Sequence, residues 1–277
     1  MLNLMYITNQ PVVAQIAEIA GVDRIFIDME YIGKNQRQGG MDTVQNHHTI
    51  DDISTIRQCV NNAKVQVRIN PIHDVLADYF CTEDEVKIAI DAGADILMLP
   101  MYKTTADVER FVKAVDGKAT ILLLAETLEA AQIMPEVVKI KEVDEIHLGL
   151  NDMHLAMGMK FMFELLADGT VDNLCDIIRP SGKRYGFGGI ARLGYGTLPA
   201  EKIIMEHYRL GSMMAILSRS FCNADKVEHI DEIRDIFMNE VTRIREAEVD
   251  FAMCTAEEFI ANHEEVIRLV NRIKESL

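Results

Sequence analysis

Eight short runs rich in β-branched and aliphatic residues recur along the chain, each followed by an amphipathic segment. They are "LNLMYIT" from Leu2, "RIFIDME" from Arg24, "KVQVRIN" from Lys64, "ADILMLPM" from Ala94, "TILLLAE" from Thr120, "VDEIHLGL" from Val143, "RYGFGGI" from Arg184 and "SMMAILSRSF" from Ser212. Runs of this length that alternate apolar with polar residues, or are apolar outright, are the pattern of buried strands. The segments between them read as helices. "TEDEVKIAIDAG" opens on an acidic turn and stops at glycine, and "TTADVERFVKAVDG" follows the same grammar.

Strict alternation of strand and helix implies a parallel sheet, and eight units over roughly 250 residues match a closed (β/α)8 TIM barrel. The rival is an open doubly wound sheet. No GxGxxG follows the first strand, and polar residues gather at the C-terminal ends of several strands, which favours the barrel. Two long helical patterns, "ADKVEHIDEIRDIFMNEVTRIREAE" and "TAEEFIANHEEVIRLVNRIKESL", follow the eighth run. The first closes a barrel domain over residues 1–250. The second, over 251–277, is a surplus C-terminal helix expected to pack on the barrel end or on a neighbouring subunit. No linker rich in Pro, Gly or Ser divides the chain.

Composition narrows the partners. The 277 residues are 49% hydrophobic, enough for a sizeable core, and carry a formal charge of −16. That charge argues against nucleic acid or an anionic membrane, while leaving room for a small anion held by local arginines. The five cysteines are widely spaced, without CxxC, so neither a disulfide framework nor a zinc ribbon is expected. With no leader-like N-terminus and no apolar run long enough to span a bilayer, a soluble cytoplasmic protein is expected.

In a barrel, the chemistry sits at the C-terminal ends of the strands. Phe26, Asp28 and Glu30 share one face of the second strand, and Gln66, Arg68 and Asn70 share one face of the third. The helix-facing side must be apolar, so both polar sets should point into the lumen. Glu126 ends the fifth strand and Asp152 follows the sixth. Each has a plain structural alternative: Asn151 and Asp152 as helix caps, Glu126 as a first-turn acid, Asp28 as the partner of a buried Arg68. As a set, two carboxylates from neighbouring strand ends, with no Cys or His pair beside them, suit a hard divalent cation, Mg²⁺ or Mn²⁺, better than zinc. Such an ion chelates a 2-oxo acid and acidifies the neighbouring C–H. Arg192 and Arg219, near the ends of strands seven and eight, could with Lys34 and Arg37 hold a second acidic group, or could be solvated rim charge. His147 is a candidate for the lumen. His154, His207, His229 and His263 are assigned to helix surfaces.

The blocks "GVDRIFIDME", "VRIN", "AIDAGADILMLPM", "LLAETLEAA" and "VDEIHLGLNDMHLAMG" resemble the successive blocks of the HpcH/HpaI aldolase and citrate lyase family, over roughly Gly21 to Phe221. The resemblance implies a metal-dependent barrel that makes or breaks C–C bonds next to pyruvate-like enolates. It implies Glu126 and Asp152 as metal ligands and Arg68 as the arginine that holds the substrate oxygen. Gly149, Leu150, Asn151 and Asp152 match the loop that meets the substrate carboxylate. Asp28 and Glu30 match acids beside the site, the second of which orders metal-bound water. It also implies a homo-oligomer, often a hexamer built from dimers that exchange a C-terminal helix.

The chain departs from the pyruvate aldolase branch at two positions. Tyr31 stands where that branch has a proton-transferring histidine, and Leu124 stands where it has a glutamine; the latter is closer to the acyl-CoA lyase branch. Asp91 matches the aspartate that supports the missing histidine, or simply ends a helix. His47 and His48, Tyr31 itself, or a metal-bound water are the candidates for the proton carrier. The expectation is therefore a class II aldolase that cleaves a 4-hydroxy-2-oxo acid into pyruvate and an aldehyde. The alternatives are an acyl-CoA or citrate-type lyase, or a catalytically weakened barrel kept as a ligand-binding or assembly subunit.

Overall fold

The structure is a computed structural model that describes residues 1–33, 46, 48–224, 226–227 and 229–277. Eight parallel strands close in chain order into one barrel. They are β1 (Asn3–Ile7), β2 (Arg24–Asp28), β3 (Lys64–Arg68), β4 (Ile96–Leu99), β5 (Thr120–Ala125), β6 (Glu145–Leu148), β7 (Arg184–Ile190) and β8 (Met214–Leu217). The helices packed around them include α1 (Pro11–Ala20), α2 (Ile50–Cys59), α3 (Thr82–Asp91) and α4 (Thr105–Val115). Two short helices, α5 (Leu128–Gln132) and α6 (Met134–Val137), follow β5. Three more, α7 (Leu150–Ala156), α8 (Glu164–Ala167) and α9 (Thr170–Ile178), connect β6 to β7. The chain then runs through α10 (Ala200–Leu210), α11 (Ile230–Phe251) and α12 (Ala256–Ser276).

Two-residue alternation sorts the apolar strand residues into two separate clusters. Ile25, Ile27, Val65, Val67, Leu97 and Leu123 belong to the large core between strands and helices. Their neighbours Phe26, Ile96, Met98, Leu122, Leu124 and Met214 form a second cluster that fills the lumen. The register puts five polar residues on the lumen side with them: Gln66 opposite Phe26, Arg24 opposite Met5, Arg68 opposite Met98, Glu145 opposite Leu122 and His147 opposite Leu124. Near the strand beginnings, Arg24 and Glu145 make a two-bond ion pair at 2.6 and 3.0 Å, and Arg184 also reaches Glu145. Arg24 donates to Gln66 Oε1 at 3.2 Å as well. A buried pair of this kind adds little net stability, but removing one partner costs about 3–5 kcal/mol because the other charge is stranded.

The C-terminal helix lies on the outer wall of its own barrel. α12 packs along α10 and α8. Asn262 Nδ2 donates to Glu206 Oε1 at 2.9 Å, His263 Nδ1 lies 2.9 Å from Glu206 Oε2, and Lys274 pairs with Glu164 at 2.6 Å. Two histidines expected on helix surfaces are buried instead. His154 bonds to Leu150 O, and His207 stacks flat on Phe187 at 3.8 Å, because the inner faces of α7 and α10 pack on the sheet. The described cysteines are all free, and no helix among the described residues is long and apolar enough to cross a membrane.

Candidate active site

The strand ends surround a cavity of about 340 Å³. Four lumen residues one step below those ends, Phe26, Met98, His147 and Ile216, line it, whereas Met5, Gln66 and Leu122 beneath them do not. The cavity therefore bottoms out on that layer of the barrel.

Arg68 is firmly held in its wall. Its Nε and Nη2 donate to the two oxygens of Asp28 at 2.7 and 2.8 Å, a bidentate fork fixed by the pairing of β2 with β3. Glu30 Oε2 lies 3.4 Å from the same Nε. Burial opposes the charge, but Asp28, Glu30 and Glu126 outweigh it and hold the guanidinium pKa well above the ordinary arginine value. With 15% of its side chain exposed, Arg68 still presents a face to the cavity.

Asp28 is a hub. Its carboxylate also accepts from Asn46 Nδ2 at 3.0 Å, and its backbone N–H donates to His48 Nδ1 at 3.0 Å. That bond makes Nδ1 the acceptor, so a neutral His48 carries its proton on Nε2. Both Asn46 and His48 line the cavity.

Glu126, 3% exposed at the end of β5, is gripped from two sides. Met101, in the left-handed backbone conformation at φ 54°, donates its N–H to Glu126 Oε1 at 3.2 Å. Gly149 packs so closely that a Cβ there would lie 2.6 Å from Glu126 Cβ and 3.0 Å from Oε2. Gly149 is also the N-cap of α7, and its own N–H is spent on Ala125 O at 2.9 Å. The first intrahelical bond runs from Met153 N to Gly149 O. The N–H groups of residues 150–152 precede that bond and belong to the end of the helix that attracts anions. Gly149, Leu150, Asn151 and Asp152 all line the cavity, as Glu126 does. Arg219 lines it beyond β8.

The remaining sequence candidates lie elsewhere. Glu30 touches Arg68 but is not in the cavity wall. Tyr31 turns outward, 42% exposed, with its ring edge-on to Tyr79 at 5.3 Å; burial and Glu85 raise its hydroxyl pKa. Its backbone N–H and that of Ile32 are caught by Asn70 Oδ1 at 3.0 Å, and Asn70 is in turn held by the buried Glu85. This anchors the chain after β2, and Tyr31 is not among the described residues that line the cavity. Asp91 is the exposed last residue of α3, and helix C-termini in this fold lie at the end of the barrel where strands begin. Arg192 stacks on Tyr195 at 4.5 Å and does not line the cavity. Lys34, Arg37 and His47 lie outside the described residues.

His147 and Asn46 add to the candidate set. The alternation in "EIHL" puts His147 on the lumen side with Glu145, which the sequence makes readable; nothing in the sequence singles out Asn46. His147 Nε2 lies 3.1 Å from Gly188 O, and burial pushes its pKa down to about 4, so it is neutral at pH 7.

The residues fit a divalent ion. Among the described residues, no group of three or more His, Cys, Asp or Glu side chains is placed to hold a metal. Glu126 and Asp152 are two acids of one open cavity, the donor type for an ion that keeps several waters, and the space beside Glu126 is kept by the missing side chain of Gly149.

This geometry, a strand-end cavity lined by the Arg68–Asp28 fork, Glu126 and Asp152, is joined by a direct match in sequence. The model of the HpcH/HpaI aldolase/citrate lyase family matches residues 3–164, more than half of the chain, and the protein belongs to that family. It is a family of aldolases and citrate lyases. The match ends at the start of α8, before β7 and β8. No curated protein matches the sequence. Among solved structures, the citrate synthase SbnG is similar at TM-score 0.59 and 12% identity, covering 88% of this chain and 94% of its own. An HpcH/HpaI aldolase/citrate lyase family protein from Burkholderia cenocepacia J2315 reaches TM-score 0.57 at 14% identity, over 84% and 95% of the two chains. The citrate lyase beta subunit from M. tuberculosis, solved with oxaloacetate and magnesium, reaches 0.55 at 14% identity, over 85% and 96%. At such identities these likenesses bear on the fold alone.

Proposed function

We propose that the protein is a metal-dependent carbon–carbon lyase of the class II aldolase type, acting on a 4-hydroxy-2-oxo acid through the enolate of pyruvate. The observation that carries this reading is the convergence of Arg68, Glu126 and Asp152, from three different strand ends, on one cavity. Glu126 and Asp152 would hold Mg²⁺ or Mn²⁺, and such an ion supplies Lewis-acid polarisation of a keto oxygen when bound. The chain's own groups do the rest. The first-turn N–H groups of α7 receive the substrate carboxylate. Arg68, locked in direction by Asp28, presents its guanidinium to the C2 oxygen and stabilises the negative charge that grows there as the C3–C4 bond breaks. The electron pair of that bond passes to C3, the C4 hydroxyl proton passes to solvent water in the cavity, and C4 becomes the aldehyde carbon. A solvent water returns that proton to C3 and completes pyruvate, while His48, with its proton on Nε2, is placed to donate a hydrogen bond that orients the water.

Pyruvate release from a panel of 4-hydroxy-2-oxo acids, followed with lactate dehydrogenase and NADH, tests the reading. Release is expected with Mg²⁺ or Mn²⁺ and is abolished by EDTA. Release that is indifferent to EDTA, or binding of the acids without turnover, would contradict it; the second result would favour a barrel retained for ligand binding.

A further inference from the structure

The inner end of the cavity is made of Phe26, Met98, Ile216 and His147, three apolar side chains and one imidazole. The imidazole is held in a single arrangement. β7 is bulged between Gly186 and Gly189, and Gly188 takes φ +51°. The Gly188 carbonyl, in that irregular stretch, lies 3.1 Å from His147 Nε2. A carbonyl oxygen only accepts, so the proton sits on Nε2 and Nδ1 is left as a bare acceptor. Among the described residues Nδ1 has no hydrogen-bond partner, although the residue is 1% exposed and lines the cavity. An acceptor buried without a donor is costly, of order 1–3 kcal/mol, and a ligand that brings the donor recovers part of that. Burial also keeps the ring neutral, so it offers a lone pair and no charge.

We infer that His147 is a specificity-determining residue whose Nδ1 takes a hydrogen bond from a hydroxyl group of the bound substrate, so that the site selects hydroxylated over deoxy acids. The inference rests on the proposed reading of the site as one for 4-hydroxy-2-oxo acids, and names the atom that recognises the C4 hydroxyl. An apolar layer with one acceptor discriminates in one direction: a hydroxyl satisfies the acceptor, whereas a methylene at that place leaves it stranded. His147 holds this hydroxyl and does not deprotonate it, since an imidazole that titrates so far below neutrality is a weak base.

The test uses acids that cannot be cleaved because C2 is already reduced: 2,4-dihydroxypentanoate and 2-hydroxypentanoate, which differ only in the C4 hydroxyl. Each is titrated calorimetrically into the intact protein with Mg²⁺, and the His147 Nδ1 resonance is followed in protein labelled with ¹⁵N-histidine. The dihydroxy acid is expected to bind about tenfold more tightly, the worth of one recovered hydrogen bond, and to shift that resonance. In His147→Phe the preference falls to about one while 2-hydroxypentanoate still binds. His147→Gln, which keeps an acceptor, retains part of the preference. Equal affinities in the unmodified protein, or a preference that survives in His147→Phe, overturn the inference and leave the reading of the site intact. If neither acid binds, both fall together.

Discussion

Gly149 is the residue where local space and proposed chemistry meet most tightly. Its φ of −83° suits any residue, so the demand for glycine comes from Glu126, whose Cβ and Oε2 occupy the room a methyl group would need. Gly149→Ala should push the Glu126 carboxylate aside. Affinity for Mn²⁺, read by electron paramagnetic resonance, is expected to fall at least tenfold, with a stability loss of about 1–3 kcal/mol from overpacking. Unchanged Mn²⁺ affinity would contradict the placement of Glu126 as a ligand. Arg68 gives the second prediction at this scale. Lysine keeps the charge but cannot make the two-bond fork to Asp28. Arg68→Lys should therefore lower the turnover number by about 10²–10³, the usual cost of losing a preorganised donor to a developing oxyanion. KM should change far less, because the α7 amides and the carboxylate pair remain.

Among the elements, the strands carry the most readable signal. Alternation in "KVQVR", "RIFID" and "EIHL" separates the residues facing the helices from those facing the lumen, and the structure keeps that division in two distinct apolar clusters. The same alternation places Asp28, Arg68 and Glu126 at strand ends, which is why these candidates could be picked from sequence and why the structure finds them around one cavity. Tyr31 and Asp91 were not legible in the same way. The backbone at Tyr31 is held by Asn70, just beyond β3, which Glu85 of α3 holds in turn, and no pattern local to β2 encodes that. Asp91 follows helical spacing faithfully, but its helix runs antiparallel to the strands and ends on the far side of the barrel. His48 needed the chain after β2 to bring it back to Asp28, a contact across 20 residues. The lumen also supplies a prediction. Glu145→Gln leaves Arg24 buried without its carboxylate, at a cost of about 3–5 kcal/mol, or a Tm lower by on the order of 10 °C. The double variant Arg24→Leu/Glu145→Leu should recover much of that loss, since Arg184 is half-exposed and can turn to water. Equal damage in the single and double variants would argue against a stranded charge as the cause.

At the scale of the whole molecule, two buried histidines contribute to the response to acid, alongside carboxylates such as Glu83 and Glu164 whose partners hold their pKa values down. Burial depresses His147 to about 4, against the bond to Gly188 O and helped by Arg24 and Arg68, and it depresses His207 to about 3. Both folded-state values lie below the ordinary histidine value, so the unfolded chain binds protons first. Stability is full above about pH 6.5 and falls as pH drops toward 4, by about 3 kcal/mol from His147 alone. Glu85 works the other way: burial raises its pKa, so acid relieves it. Urea denaturation between pH 7 and 4 should show a net decline, shallower in His207→Phe, because that side chain can keep the stack on Phe187 and takes up no proton. A flat profile would contradict the buried, neutral state of these rings. α12 belongs to the same level. Its bonds to Glu206 and Glu164 tie it to its own barrel wall.

Deuterium exchange into the methyl group of pyruvate, followed by NMR, tests the central claim most directly, because it reads enolisation without any knowledge of the aldehyde. The account predicts exchange with Mg²⁺ or Mn²⁺, none with EDTA, and a loss of at least a hundredfold in Glu126→Gln. Absence of metal-dependent exchange in the intact protein, or undiminished exchange in Glu126→Gln, would contradict it.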